Sequence, residues 1–295
     1  MTSVFETEVL YLKRLEEYRT TKPYEVMFKL DAFDKGAQQA NCVLEPTPVT
    51  FTNARLAPPL PTLKKNGFQL VSSPCVLQAA YFEDEGHVSN IYLPLAKECV
   101  AKALGEQQPA EMHSCQLTDP PIRKRNSDFP AVAMERTGFL QPILSAHCDF
   151  SPNGARPALD EMIARNPHLE NWPFQIIKRV DVPPSHLVWR MINGPTSDWP
   201  LAVCGYQSLD LDKDIEECDR VASDRTTESI LLYHNPAHRW YFFEGLAKHE
   251  VAVFRNCDSR GYHVPFGIHI SFDFKTDSLP KLPRESVEIR VVCFF

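Results

Sequence analysis

The residues best suited to chemistry are His147 and Asp149, a His-x-Asp pair within the apolar run LQPILSAHCDF. On a strand, side chains at i and i+2 leave the same face, so the imidazole and the carboxylate can reach one metal ion while Cys148 points into the packing. One further ligand completes the two-histidine, one-carboxylate set that holds iron and leaves coordination positions open. His269, in the run GIHISF near the C-terminus, is the best-placed third donor. The tripeptide is weak by itself. In a chain with ten histidines, about half a chance occurrence is expected, and from the tripeptide alone a hydrogen-bonded core histidine is the favoured account of His147. His168 and Glu170 form a rival pair, but they follow Asn166-Pro167 in a stretch that reads as a loop, which positions ligands less rigidly than a strand.

The C-terminal run PRESVEIRVVCFF adds a second function to the first. Arg284 and Ser286 share one strand face, and together they offer a planar guanidinium fork and a hydroxyl to a single carboxylate. That suits the far end of a keto acid whose other end chelates iron. Glu288 and Arg290 continue the polar face, opposite Val287, Ile289 and Val291. The apolar face is expected against a second layer, and the polar face is expected to look into a barrel. Arg290, paired with Glu288 or reaching an acid group, is the alternative anchor. Arg190 in VWRM is a further candidate for substrate or cosubstrate contact, although buried charges are commonly paired within the protein.

These side chains need short, rigid strands to hold them. From Phe139 on, β-branched and aromatic runs follow one another: SHLVWRMI, PLAVCGY, SILLYH, RWYFF, EVAVFRNC, VPFGIHISFDF and SVEIRVVCFF. One helix interrupts them, from Pro157 to Ala164. About eight strands in this half fit a double-stranded β-helix (jelly-roll) core better than an open sheet. The expected fold is β-rich α+β: that core over residues 139–295, flanking helices, and an N-terminal extension over 1–138 packing on the barrel, all within one domain 1–295. Within the extension, Pro46 to Leu56 alternates like a strand. Ile91 to Leu104 reads as a helix with Pro94 near its start and Gly105 at its end. Arg123, Lys124 and Arg125 read as a solvated basic turn.

Composition narrows the function. Lys+Arg 31 against Asp+Glu 38 gives a formal charge of -7, which argues against a nucleic-acid surface. No run approaches the roughly 18 apolar residues of a membrane span, and the charged N-terminus lacks a signal-peptide core. Nine cysteines with no CxxC spacing argue against a zinc ribbon or a disulfide framework and point to free thiols in a reducing, cytoplasmic setting. No GxSxG elbow is present, which argues against a serine hydrolase.

Six segments carry a family resemblance: SAHCDFS (145–151), VWRMINGPTSDWPLAVC (188–204), YHNPAHRWYFF (233–243), HEVAVFRNCDS (249–259), IHISFDF (268–274) and RESVEIR (284–290). A looser match runs through NGFQLV (66–71). In their order and spacing the chain resembles non-haem Fe(II)/2-oxoglutarate-dependent oxygenase-like proteins, the group of the cephamycin 7-hydroxylation component, fungal gibberellin desaturase and the aspergillic-acid-pathway hydroxylase/desaturase. The resemblance implies that His147, Asp149 and His269 bind Fe(II) and that Arg284 binds 2-oxoglutarate. It also implies that dioxygen oxidises a small-molecule intermediate of specialised metabolism by hydroxylation or desaturation. His238, Arg239 and Trp240 match the family's HRW and are read either as pocket residues or as a structural network. Gly205-Tyr206 stands where relatives often carry an acidic residue, which leaves the substrate open. The rival readings on the same fold are a non-redox barrel enzyme, such as an isomerase or cyclase, and a non-catalytic ligand-binding pathway partner.

Overall fold

The structure is a computed structural model that describes residues 4–30, 36–73, 77–116, 122–130, 140–168, 185–258 and 260–295. Its strands in chain order begin with β1 (Val4–Leu12), β2 (Tyr24–Val26), β3 (Leu44–Asn53), β4 (Phe68–Ser72), β5 (Glu111–Gln116) and β6 (Ile122–Lys124). They continue with β7 (His147–Cys148), β8 (Ser185–Met191), β9 (Leu201–Cys204), β10 (Ile215–Val221), β11 (Thr226–Leu232), β12 (Trp240–Phe242), β13 (Glu250–Cys257), β14 (Ile268–Ser271) and β15 (Glu285–Phe294). A nine-stranded sheet has the order β1-β3-β12-β9-β14-β7-β11-β10-β2, and a six-stranded sheet has the order β4-β13-β8-β15-β5 with β6 also on β15.

Period-two alternation builds the layers. On β8, Leu187, Trp189 and Met191 pack with Val203 of β9, in the space between the two sheets. On the opposite face of the six-stranded sheet, Val188 joins Val287, Ile289, Val291 and Cys293 of β15 and Val251 and Val253 of β13. The helix Leu93–Leu104 covers that face with Ala96, Cys99 and Val100. Val287, Ile289 and Val291 are fully buried, and each such side chain contributes about 1.5–3 kcal/mol relative to exposure. The polar face of β15 therefore turns inward. Among the described residues, no helix is long and apolar enough to cross a membrane.

The expected elements are present with shifted ends. The first helix starts at Leu93 because a π-helical turn, Val88–Tyr92, takes up the residues before it, and Gly105 ends it at φ 66. The second spans Arg156–Arg165. The strand read at 46–56 spans Leu44–Asn53, where the Asn53 side chain accepts from Arg55 N and caps a 3-10 turn. Three features differ from the expectation. Strand β10, IEECDRV, carries too many charges to read as a strand, yet it pairs with β11 and β2. Residues before 138 are woven into both sheets: β3 pairs β12, β4 pairs β13, and β5 and β6 pair β15. The basic turn is not solvated. Arg123 and Lys124 belong to β6, Arg123 meets Glu288 at 3.4 Å, and Arg125 pairs with Asp198.

Candidate active site

His147 on β7 and His269 on β14 are directly opposed residues of an antiparallel pair. Their rings lie 4.3 Å apart between centroids, and both residues are buried. Asp149 follows β7 immediately. Its Oδ1 lies 3.5 Å from His147 Nε2 and 3.9 Å from His269 Nε2. One donor atom from each residue falls within 4.8 Å of the others, close enough to hold one ion.

Second contacts orient these donors. His147 Nδ1 lies 2.8 Å from Ser145 O, and His269 Nδ1 lies 3.1 Å from Gly267 O. A carbonyl only accepts, so each Nδ1 donates to its carbonyl and each ring turns its Nε2 toward Asp149 Oδ1. Burial and the neighbouring His147 ring push His269 down to about 3, which keeps it neutral. His147 Nε2 is buried without a hydrogen-bond partner among the described residues. Burial raises the Asp149 carboxyl, but Arg290 and the two imidazoles outweigh it and hold the group well below its ordinary value. Two imidazole nitrogens and a charged carboxylate oxygen, all converging, fit a divalent transition metal such as Fe(II).

A cavity opens beside this set, lined by His147 and His269 together with Trp189, Arg123, Arg284 and Glu288. Arg284 is fully buried. Its Nη1 donates to Trp199 O at 2.6 Å and to Ser271 Oγ at 2.7 Å, and its backbone N–H donates to Asp198 Oδ2 at 2.7 Å. Trp199 reaches that position with φ 45, a left-handed conformation uncommon for a bulky residue. Arg284 Nε, Ser286 Oγ and Glu288 Oε1 are buried without partners among the described residues. Burial and the nearby Arg123, only partly offset by Asp198 and Glu288, push the Arg284 guanidinium down to about 9. Such a group gains most from an anion brought alongside it.

The structure thus gathers His147, His269 and Arg284 around one cavity, with Asp149 against the two imidazoles and Ser286 on the β15 face between Arg284 and Glu288. Arg290 joins them differently from the expectation: it pairs with Asp149, Nη2 to Oδ2 at 3.1 Å, rather than with Glu288, and stacks over Phe150. Arg190 does not join them. It shares the outer face of β8 with Val188, donates from Nε to Lys248 O at 2.9 Å, and lies toward Tyr92. His238 bonds to Asp214 and Trp240 Nε1 donates to Tyr11 OH, so these residues form a structural network. Of the rival pair, Glu170 lies outside the described residues, and His168 meets Glu111. Arg123 is the site residue that sequence reasoning missed. Its strand is three residues long and carries no periodicity to read.

A sequence-family profile described as an oxidoreductase/YMDC permease-like domain matches residues 9–294. The Fe(II)/2-oxoglutarate-dependent dioxygenase nvfI of Aspergillus novofumigatus is 27% identical over 267 residues, 88% of this chain and 87% of that protein. The hydroxylase/desaturase efuI of Hormonema carpetanum is 24% identical over 253 residues, 79% of each. Among solved structures, the iron and alpha-ketoglutarate-dependent endoperoxidase NvfI superposes with a TM-score of 0.77 at 22% identity, covering 100% of this chain and 99% of that one. The fold is accordingly the jelly-roll core of that enzyme class. The chain belongs to the oxidoreductase/YMDC permease-like family, whose profile spans nearly its whole length.

Proposed function

We propose that the protein is an Fe(II)/2-oxoglutarate-dependent oxygenase that hydroxylates or desaturates a small-molecule intermediate of fungal specialised metabolism. The observation that carries this is the pair of anchored imidazoles, each with Nδ1 on a carbonyl and Nε2 turned to Asp149 Oδ1, set beside the buried Arg284. In this reading His147, Asp149 and His269 hold the iron. Arg284, with Ser286, takes the distal carboxylate of 2-oxoglutarate. Bound together, iron and 2-oxoglutarate supply oxidising power from dioxygen sufficient for an unactivated C–H bond. The chain supplies position: Arg290 fixes Asp149, and Ser271 and the Trp199 carbonyl fix Arg284. One relative is named an endoperoxidase and another a hydroxylase/desaturase, so the outcome depends on where the substrate carbon sits. We place the enzyme in the cytoplasm, on the free thiols of its described cysteines.

The test is anaerobic addition of Fe(II) and 2-oxoglutarate to the apoprotein. A visible metal-to-ligand charge-transfer band should appear only with both present. Turnover of a substrate without consumption of 2-oxoglutarate would instead favour non-redox chemistry on this fold.

A further inference from the structure

Far from the candidate active site in sequence, two thiols are held against each other. Cys42 and Cys218 are separated by 176 residues, yet their sulfurs lie 3.4 Å apart. Cys218 sits in the middle of β10, opposite Ser229 of β11, whose Oγ donates to its carbonyl at 3.3 Å. Cys42 lies just before β3, with its sulfur 3.4 Å from Tyr24 O on β2. Strand β2 runs parallel to β10, placing Tyr24 opposite Asp219. The residues flanking Cys42 are clamped as well. Tyr18 OH donates to Asn41 O at 2.9 Å and accepts from Val43 N at 3.0 Å, while the Asn41 side chain accepts from Tyr24 N at 2.7 Å. Backbone on both sides of the pair is therefore hydrogen-bonded, and the contact between the sulfurs is fixed by the fold.

We propose that Cys42 and Cys218 form a redox modification site, an intramolecular dithiol that closes to a disulfide when exposed to a glutathione-type disulfide. A sulfur separation of 3.4 Å needs to shorten only to about 2.05 Å. The two thiols are unequal in the way that such chemistry uses. Cys42 is half-buried, and the hydrogen bond from the Cys218 thiol lowers its pKa; Cys218 is buried. The Cys42 thiolate attacks glutathione disulfide, forming a mixed disulfide and releasing one glutathione thiolate. The Cys218 sulfur then attacks the Cys42 sulfur, forming the Cys42–Cys218 bond and expelling the second glutathione, which takes the Cys218 proton. Two protein thiols are oxidised and one glutathione disulfide is reduced to two thiols.

The bond would tie the segment entering β3 to β10 across a long loop, which restricts the unfolded chain and raises thermal stability. The sulfurs belong to a small core with Leu12, Tyr18, Leu231 and Tyr233. Leu231 is the backbone partner of His147, so the staple would lie two strands from the candidate metal ligands.

The experiment equilibrates the anaerobic full-length protein in glutathione redox buffers, alkylates it, and counts thiols after denaturation. The reduced protein should return all nine, and the most oxidising buffer seven. The lost pair should appear as one cross-linked peptide containing Cys42 and Cys218, two hydrogens lighter than the sum, with the melting temperature raised by several degrees. Cys42→Ser, at a half-buried position that tolerates the change, should keep its eight thiols throughout. Cys218→Ala should accumulate glutathione on Cys42. Nine thiols remaining in every buffer, or a cross-link that omits either residue, would overturn the proposal. So would Cys42→Ser still losing two thiols, which remains decisive even if Cys218→Ala fails to fold.

Discussion

Arg290 Nη2 lies 3.1 Å from Asp149 Oδ2, which leaves Oδ1 to face both His147 and His269. The guanidinium holds the carboxylate in one rotamer and balances its charge in a site where burial by itself raises the carboxyl pKa. Outer contacts of this kind are typically worth about 10- to 100-fold in metal affinity.

Arg290→Gln should therefore weaken Fe(II) binding by about tenfold or more. With iron saturating, 2-oxoglutarate affinity should change much less. Competition with a metal-sensitive dye measures the first, and titration of the charge-transfer band measures the second. If iron affinity is unchanged and 2-oxoglutarate binding collapses, Arg290 is the cosubstrate anchor.

Arg284→Lys should weaken 2-oxoglutarate binding by at least about tenfold, roughly 1.4 kcal/mol. Lysine offers a point charge where Arg284 uses Nη1 to reach Trp199 O and Ser271 Oγ and keeps Nε for another partner. Iron affinity should be nearly unaffected. Isothermal titration of 2-oxoglutarate into the iron-loaded variant reads this directly, and wild-type affinity there would remove Arg284 from its assigned role.

His147→Ala, Asp149→Ala and His269→Ala should each abolish iron-dependent turnover while far-UV circular dichroism shows the fold retained. Each removes one of three converging donors. Asp149→Ala also leaves Arg290 without its partner, so its melting temperature should drop most. Full activity in any one variant, with stoichiometric iron, contradicts the ligand set. For Asp149→Ala, halide-free buffer is needed, because removal of the carboxylate opens a position that halide can take.

Stability should fall on the acid side because of His186. It is completely buried, and burial, aided by Arg255, holds its pKa well below 6.5. Above about pH 6.5 neither the folded nor the unfolded state carries this proton, and the group contributes nothing to the pH dependence. Below it, the unfolded chain binds a proton that the folded chain refuses, so stability is lost as pH falls, by up to about 1.4 kcal/mol per pH unit. His186→Phe, which does not titrate, should flatten the melting temperature between pH 6.5 and 5 relative to wild type. An unchanged slope would assign the acid sensitivity to other groups.

Local period and residue type were legible along the chain. The two-residue period of a strand put His147 and Asp149 on one side, and they do converge although β7 ends at Cys148 and Asp149 lies just past it; the same rule sorted β15 into an apolar side of Val287, Ile289 and Val291 and a polar side of Ser286 and Glu288. Helix ends were legible where Pro94 and Gly105 mark them. Tertiary structure alone decided which strands lie side by side, because pairing across a hundred residues depends on the packing of whole sheets. It set His269 opposite His147, gave Arg290 to Asp149 rather than Glu288, and brought Arg123 from an unreadable three-residue strand to the cavity. It also turned Arg190 outward. Strand β8 is buried on both faces, with Leu187, Trp189 and Met191 on one and His186, Val188 and Arg190 on the other, so burial along its own sequence does not say which face looks at the site.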